Sequence, residues 1–171
     1  MIIRLANEKD IPSILTIFNE ALIHTTAVYS YVPATLDEQL EWYHHKVEAG
    51  IPVYVAEDEL GLLGYVTYGP FRTRPAYKYT VELSIYVDQR ARNQGVGKAM
   101  MVKTLEVCEA KELKTLICGI DSENKASIAL CMKFGFTHSG TLTKVGYKFE
   151  HWLDLAFYQL ELKGPQQPEE I

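Results

Sequence analysis

Apolar residues recur in this chain with two periods, one helical and one extended, and their alternation sets the predicted element order. Ile2–Leu5 reads as a short strand. Asn7 caps a helix, with Asp10 three residues later and Ile11, Ile14, Leu15 and Phe18 following at helical spacing. Leu36, Leu40 and Tyr43 predict a second helix from about Thr35 to Ala49, stopped by Gly50. Between the two lies a polar, aromatic loop, residues 24–31, whose Thr and Tyr content fits a binding loop or a plain connector. Pro52–Glu57 and Leu63–Tyr68 form a hairpin turned at Gly61–Gly64. Tyr79–Val87 is a strand in which Val81, Leu83, Ile85 and Val87 alternate with Glu82, Ser84 and Tyr86. A helix from about Gly95 to Lys111 carries Met101, Leu105 and Cys108 on its buried stripe. Thr115–Gly119 is a strand, Asn124–Phe134 a helix ended by Gly135, and Thr137–Leu142 and Trp152–Leu162 are the last strands.

This order predicts an α+β fold with a mixed, mostly antiparallel sheet: a meander first, then a strand-helix-strand unit. A chain of 171 residues fits one domain, expected over residues 1–163, with residues 164–171 as a polar tail that frays. Hydrophobic residues make up 47% and charged residues 23%, the balance of a globular protein with its own core. The net charge of −5 gives no footprint for nucleic acid. No run approaches the ~20 apolar residues of a membrane span, and the N-terminus lacks a leader pattern. Cys108, Cys118 and Cys131 sit in apolar contexts without a CxxC pair, so reduced core thiols in a cytoplasmic protein are expected. The five histidines have no metal-ligand spacing, and no metal is expected.

The sharpest chemical signal is Arg92-Asn-Gln-Gly-Val-Gly97, which follows a strand and opens a helix. Gly95 and Gly97 allow a ligand to approach the backbone. The first amides of the new helix lack intrahelical partners, and the helix dipole adds positive charge. Together these make a pyrophosphate site; a strand-to-helix turn using glycine for its geometry is the plain alternative. A dinucleotide loop fits less well, because the pattern is not GxGxxG and follows an antiparallel meander. No lysine followed by Ser or Thr completes a P-loop.

Arg-x-x-Gly-x-Gly between strand and helix resembles the acetyl-CoA loop of the GNAT N-acetyltransferase superfamily, and the element order matches that fold from Ile2 to about Leu162. Asn124-x-x-Ser127 through Phe134-Gly135-Phe136 resembles its later CoA-contacting helix. Thr80–Val87, Gly146–Phe149, Trp152–Leu155 and Arg72-x-Arg74-x-x-Tyr77 resemble the phosphinothricin and methionine sulfoximine acetyltransferase branch. The resemblance implies acetyl-CoA as donor, the α-amine of an amino-acid-like compound as acceptor, and a homodimer. It implies that the backbone of Ile85, Tyr86 and Val87 pairs with the pantetheine arm, in the manner of an added strand. The amides of Asn93, Gln94, Gly95, Val96, Gly97 and Lys98 would hold the pyrophosphate, and Asn124 and Ser127 would contact the cofactor.

Glu82 is the candidate general base, since an α-amine is mostly ammonium at neutral pH and attacks a thioester only after losing a proton. A carboxylate among apolar strand neighbours is otherwise an outward, solvated side chain. Cys131 stands where the superfamily often has tyrosine and this branch histidine; a thiol there protonates the leaving CoA sulfur or simply packs. Arg72 and Arg74, read as alternate positions at a strand end, would clamp a substrate carboxylate or lie in solvent. Tyr29, Tyr31 and Tyr77 would line the acceptor pocket or pack. Lys148 and His151 take no role. Besides a small-molecule acetyltransferase, the sequence leaves open acetylation of a protein or peptide amine and a non-catalytic CoA-binding sensor.

Overall fold

The computed structural model describes residues 1–170. Seven strands and four α-helices follow one another as β1 (Ile2–Leu5), α1 (Ile11–His24), α2 (Leu36–Glu48), β2 (Val53–Asp58), β3 (Gly61–Pro70), β4 (Thr80–Val87), α3 (Val96–Ala110), β5 (Thr115–Asp121), α4 (Lys125–Lys133), β6 (Thr137–Lys148) and β7 (His151–Glu161). The strand order is β1-β2-β3-β4-β5-β7-β6. β4 and β5 are parallel, while β1–β2, β2–β3, β5–β7 and β6–β7 are antiparallel. This is the expected mixed α+β sheet. Two compact units are distinguished: Met1–Tyr68 with Ser84–Thr104, and Gly69–Leu83 with the chain from Leu105 onward.

In the first unit, Asn7 accepts from Lys9 and Asp10 returns a bond to the Asn7 amide, a reciprocal cap that starts the α1 region. Thr35 and Glu38 do the same for α2. Ile11, Ile14 and Ile17 of α1 then pack on Val53, Val55, Leu62 and Tyr65 of β2 and β3, all nearly excluded from water. Arg4 ties β1 to this frame, bridging Asp10 at 2.7 Å and Glu57 at 2.6 Å.

In the second unit, Val81, Leu83, Leu116, Cys118, Leu153, Ala156 and Tyr158 are buried on β4, β5 and β7. The last hairpin is longer than its sequence predicts: β6 reaches Lys148 instead of ending at Leu142, and pairs it with His151. Phe149 and Glu150 make the turn, both left-handed at φ 50° and 64°. That is the φ pattern of a tight primed hairpin turn, which normally announces itself with Asn-Gly or Asp-Gly. The strand also breaks register between Leu142 and Gly146, where Lys144 is left-handed. Beyond β7, the Leu162 amide donates to the Lys114 carbonyl, and the Glu169 amide donates to the Tyr79 hydroxyl at 3.2 Å.

Candidate active site

The turn after β4 is built from two left-handed residues, Asn93 at φ 62° and Gly95 at φ 81°. A β-carbon on Gly95 would meet nothing within 4 Å, so the dihedral angle rather than crowding calls for glycine there. Gly95 O accepts from Ala99, which makes it the first carbonyl of α3. The amides of Val96, Gly97 and Lys98 therefore begin the helix without acceptors four residues back. Residues 92–95 and Lys98 are exposed, while Val96 and Met100 are buried and anchor the helix. Arg92 is fixed to Glu20 of α1 at 2.8 Å, and Gln94 closes onto Arg90 O at 2.7 Å. Backbone amides without helical acceptors, at a helix start anchored by Val96 and Met100, suit a diphosphate.

Just upstream, the Tyr86 ring stacks on Tyr65 at 5.1 Å, with Phe18 edge-on at 5.7 Å. The side chain thus points into the packing of the first unit. At Gly64 a β-carbon would stand 2.5 Å from the Tyr86 carbonyl oxygen, so β3 reaches that close only without a side chain. The ladder of β4 with β5 runs through Thr80↔Thr115, Val81↔Leu116 and Glu82↔Ile117, although β4 continues to Val87. The backbone of Ile85–Val87 lies beyond that ladder.

The second unit holds the other predicted groups. Glu82 is half-buried, and desolvation lifts its carboxyl above the ordinary range while the Arg72 charge pulls it back. Arg72 is exposed and lies over the Phe71 ring at 4.3 Å. Phe71 in turn meets Tyr77 at 5.9 Å and Phe157 at 6.3 Å, both edge-on. Arg72 and Arg74 do not sit on a strand end: β3 stops at Pro70, and Pro75 opens a 3-10 turn through Tyr77. Strand alternation therefore does not place the two guanidinium groups on one side. The structure associates Arg72 with Glu82 and leaves Arg74 exposed at the cap of that turn. Tyr29 and Tyr31 belong to the first unit, both exposed between α1 and α2.

Asn124 caps α4, its side-chain oxygen accepting from the Ser127 amide at 3.1 Å. The cap uses the oxygen, not the side-chain NH2 group. Cys131 is 3% exposed and accepts a hydrogen bond from Cys118, which drives the Cys118 thiol far above the ordinary range, with burial adding to the effect. The same bond lowers Cys131 against the opposing effect of burial. Phe71, Phe157 and Gly119, all grouped about Glu82 or Arg72, carry no motif and escaped the sequence reading. Only the apolar run of β5, interrupted at Gly119, hinted at them.

Among the described residues no group of three or more His, Cys, Asp or Glu side chains is placed to hold a metal, and no helix is long and apolar enough to cross a membrane. A mixed seven-stranded sheet whose β4 leads through the turn at residues 88–95 into the start of α3 carries the elements that the sequence resemblance calls for. The model of the Acetyltransferase (GNAT) family matches residues 12–136. The chain is 39% identical over 161 residues to the L-methionine sulfoximine/L-methionine sulfone acetyltransferase of Pseudomonas paraeruginosa, covering 94% of each chain. The crystal structure of an N-acetyltransferase from Staphylococcus aureus Mu50 superposes with a TM-score of 0.94 at 49% identity, covering 95% of this chain and 98% of that one. The phosphinothricin acetyltransferase of Sinorhizobium meliloti, solved with acetyl-CoA, gives a TM-score of 0.94 at 33% identity, covering 99% and 92%. This protein belongs to the GNAT acetyltransferase family and is an acetyl-CoA-dependent N-acetyltransferase.

Proposed function

We propose that the protein acetylates the α-amine of a small amino-acid-like compound, of the methionine sulfoximine, methionine sulfone or phosphinothricin kind. The observation that carries this reading is the grouping of a desolvated carboxylate, Glu82, with an exposed guanidinium, Arg72, beside the rings of Phe71, Tyr77 and Phe157. A guanidinium matches an α-carboxylate, and the aromatic rings suit an apolar side chain. The relatives named for amino-acid analogues point the same way.

Acetyl-CoA supplies the acetyl thioester. The amides from Asn93 to Lys98 hold its diphosphate, the backbone of Ile85–Val87 pairs with its pantetheine arm, and Asn124 and Ser127 contact it near α4. Glu82, directly or through one water, takes the proton that the ammonium must lose before its nitrogen attacks the carbonyl. Its raised pKa brings it closer to neutrality, where a base works best. Arg72 orients the acceptor, and Arg74, Tyr29 and Tyr77 complete its surroundings. The CoA thiolate leaves without a dedicated acid. Cys131, buried and bonded to Cys118, is assigned to packing α4 against β5.

The protein is read as a cytoplasmic homodimer. The exposed apolar side chains of the β6–β7 hairpin, Leu142, Val145, Tyr147, Phe149 and Trp152, support a partner surface. Steady-state rates with acetyl-CoA and a panel of free amino acids, their N-methylated or decarboxylated forms, and short peptides test the acceptor class. Rates that follow a free α-amine beside an α-carboxylate support it. Preference for peptides over every amino acid contradicts it.

A further inference from the structure

The Glu82 carboxylate lies where a side chain at position 119 would stand. Glu82 pairs with Ile117 in the parallel β4–β5 ladder, so Gly119, two residues on, shares the face to which Glu82 points. A β-carbon built on Gly119 falls 2.8 Å from Glu82 Oε1, closer than real β-carbons come to a neighbour. It also falls 3.5 Å from both Leu155 Cδ1 and Phe157 Cε1, which wall the same space. Gly119 is not left-handed, so its backbone does not call for glycine. Glycine inside a strand costs entropy and packs nothing, and it often marks a close approach. Here the approaching group is a carboxylate.

We propose that Gly119 is a positioning residue for acetyl transfer: its missing side chain is the seat of the Glu82 carboxylate and aims it at the acceptor amine. The proposal rests on the reading of Glu82 as the base. Any side chain at 119 pushes the carboxylate out of its seat. The atom displaced is the far end of a flexible side chain, so the fold tolerates the change while the geometry of proton transfer does not.

The test compares wild type, Gly119→Ala, Glu82→Gln and the double variant for kcat, both KM values and the pH dependence of kcat/KM. Gly119→Ala is expected to lose roughly 10–100-fold in kcat, the scale of a misplaced catalytic group. Its KM for acetyl-CoA should stay near wild type. Its acidic limb should move to lower pH, because a displaced carboxylate regains water. On the Glu82→Gln background the same substitution should cost less than about twofold, since the two residues act as one unit. A normal kcat and an unmoved limb in Gly119→Ala, with Glu82→Gln crippled, overturns the role of Gly119 alone. Equal losses on both backgrounds also overturn it. Full activity of Glu82→Gln overturns the base assignment beneath it. If Gly119→Ala does not fold, Glu82→Asp withdraws the carboxylate from the seat without touching Gly119; a limb shift well beyond the about 0.4 unit by which aspartate ordinarily lies below glutamate supports the seat, and a shift no larger than that contradicts it.

Discussion

Gly64→Ala puts β4 under direct strain. The added β-carbon would stand 2.5 Å from the Tyr86 carbonyl oxygen, 3.0 Å from Met100 Cε and 3.3 Å from Val87 Cα. Met100 can swing away, but the carbonyl is backbone and moves only with β4. Gly64 is not left-handed, so alanine fits its dihedral angles and stiffens the unfolded chain, a gain of about 0.5 kcal/mol. Overpacking a buried site by one methyl against backbone costs about 2 kcal/mol. The net loss is then about 1.5 kcal/mol, which lowers Tm by about 3–6 °C in a domain of this size. The strand that moves is the one assigned to the pantetheine arm, so acetyl-CoA affinity should fall as well. Thermal melts with and without acetyl-CoA, together with calorimetric titration, read both effects. An unchanged or higher Tm with unchanged affinity refutes the reasoning, because β3 and β4 would then not be held at the separation described.

Glu82→Gln should cut kcat/KM by about 10²–10⁴, the usual worth of a general base, while acetyl-CoA affinity by calorimetry stays unchanged. The same variant should melt higher at neutral pH. Burial raises the folded carboxyl, so its stabilising protonated form is complete at low pH and is lost as pH rises from the ordinary glutamate range through the raised value. Arg4→Met should flatten the acid side of the melting profile. Arg4 holds the Asp10 and Glu57 carboxyls below their ordinary range, so its stabilisation is present above about pH 4 and fades as pH falls further; a profile unchanged from wild type contradicts this. Cys131→Ala should lower Tm through about 1 kcal/mol of lost packing and leave kcat within about twofold. A large drop in kcat would instead make the thiol the acid that the sequence reading allowed.

The parts of this molecule that periodicity controls were legible from sequence. Ile11, Ile14, Leu15 and Phe18 announce α1, and the Val81–Val87 alternation announces β4, because each must bury one face. Arg92–Gly97 was legible because a left-handed turn feeding a helix start constrains residue type. The hairpin turn was not, since Phe149 and Glu150 adopt left-handed angles without the glycine or asparagine that signals them. The seat at Gly119 was not legible either. Its reason lies on another strand, in Glu82, and only the registry of Glu82 with Ile117 brings the two together. Arg72 and Arg74 were read with a strand period that Pro70 and Pro75 interrupt.

The most direct measurement follows acetyl-CoA and L-methionine sulfoximine with the purified protein, quantifying free CoA thiol and N-acetylated product in the same samples across pH. Equal amounts of thiol and N-acetyl product are predicted, with an acidic limb that vanishes in Glu82→Gln. Thiol release without acetylated amine, or no turnover of any amino acid while a peptide N-terminus is acetylated, contradicts the account.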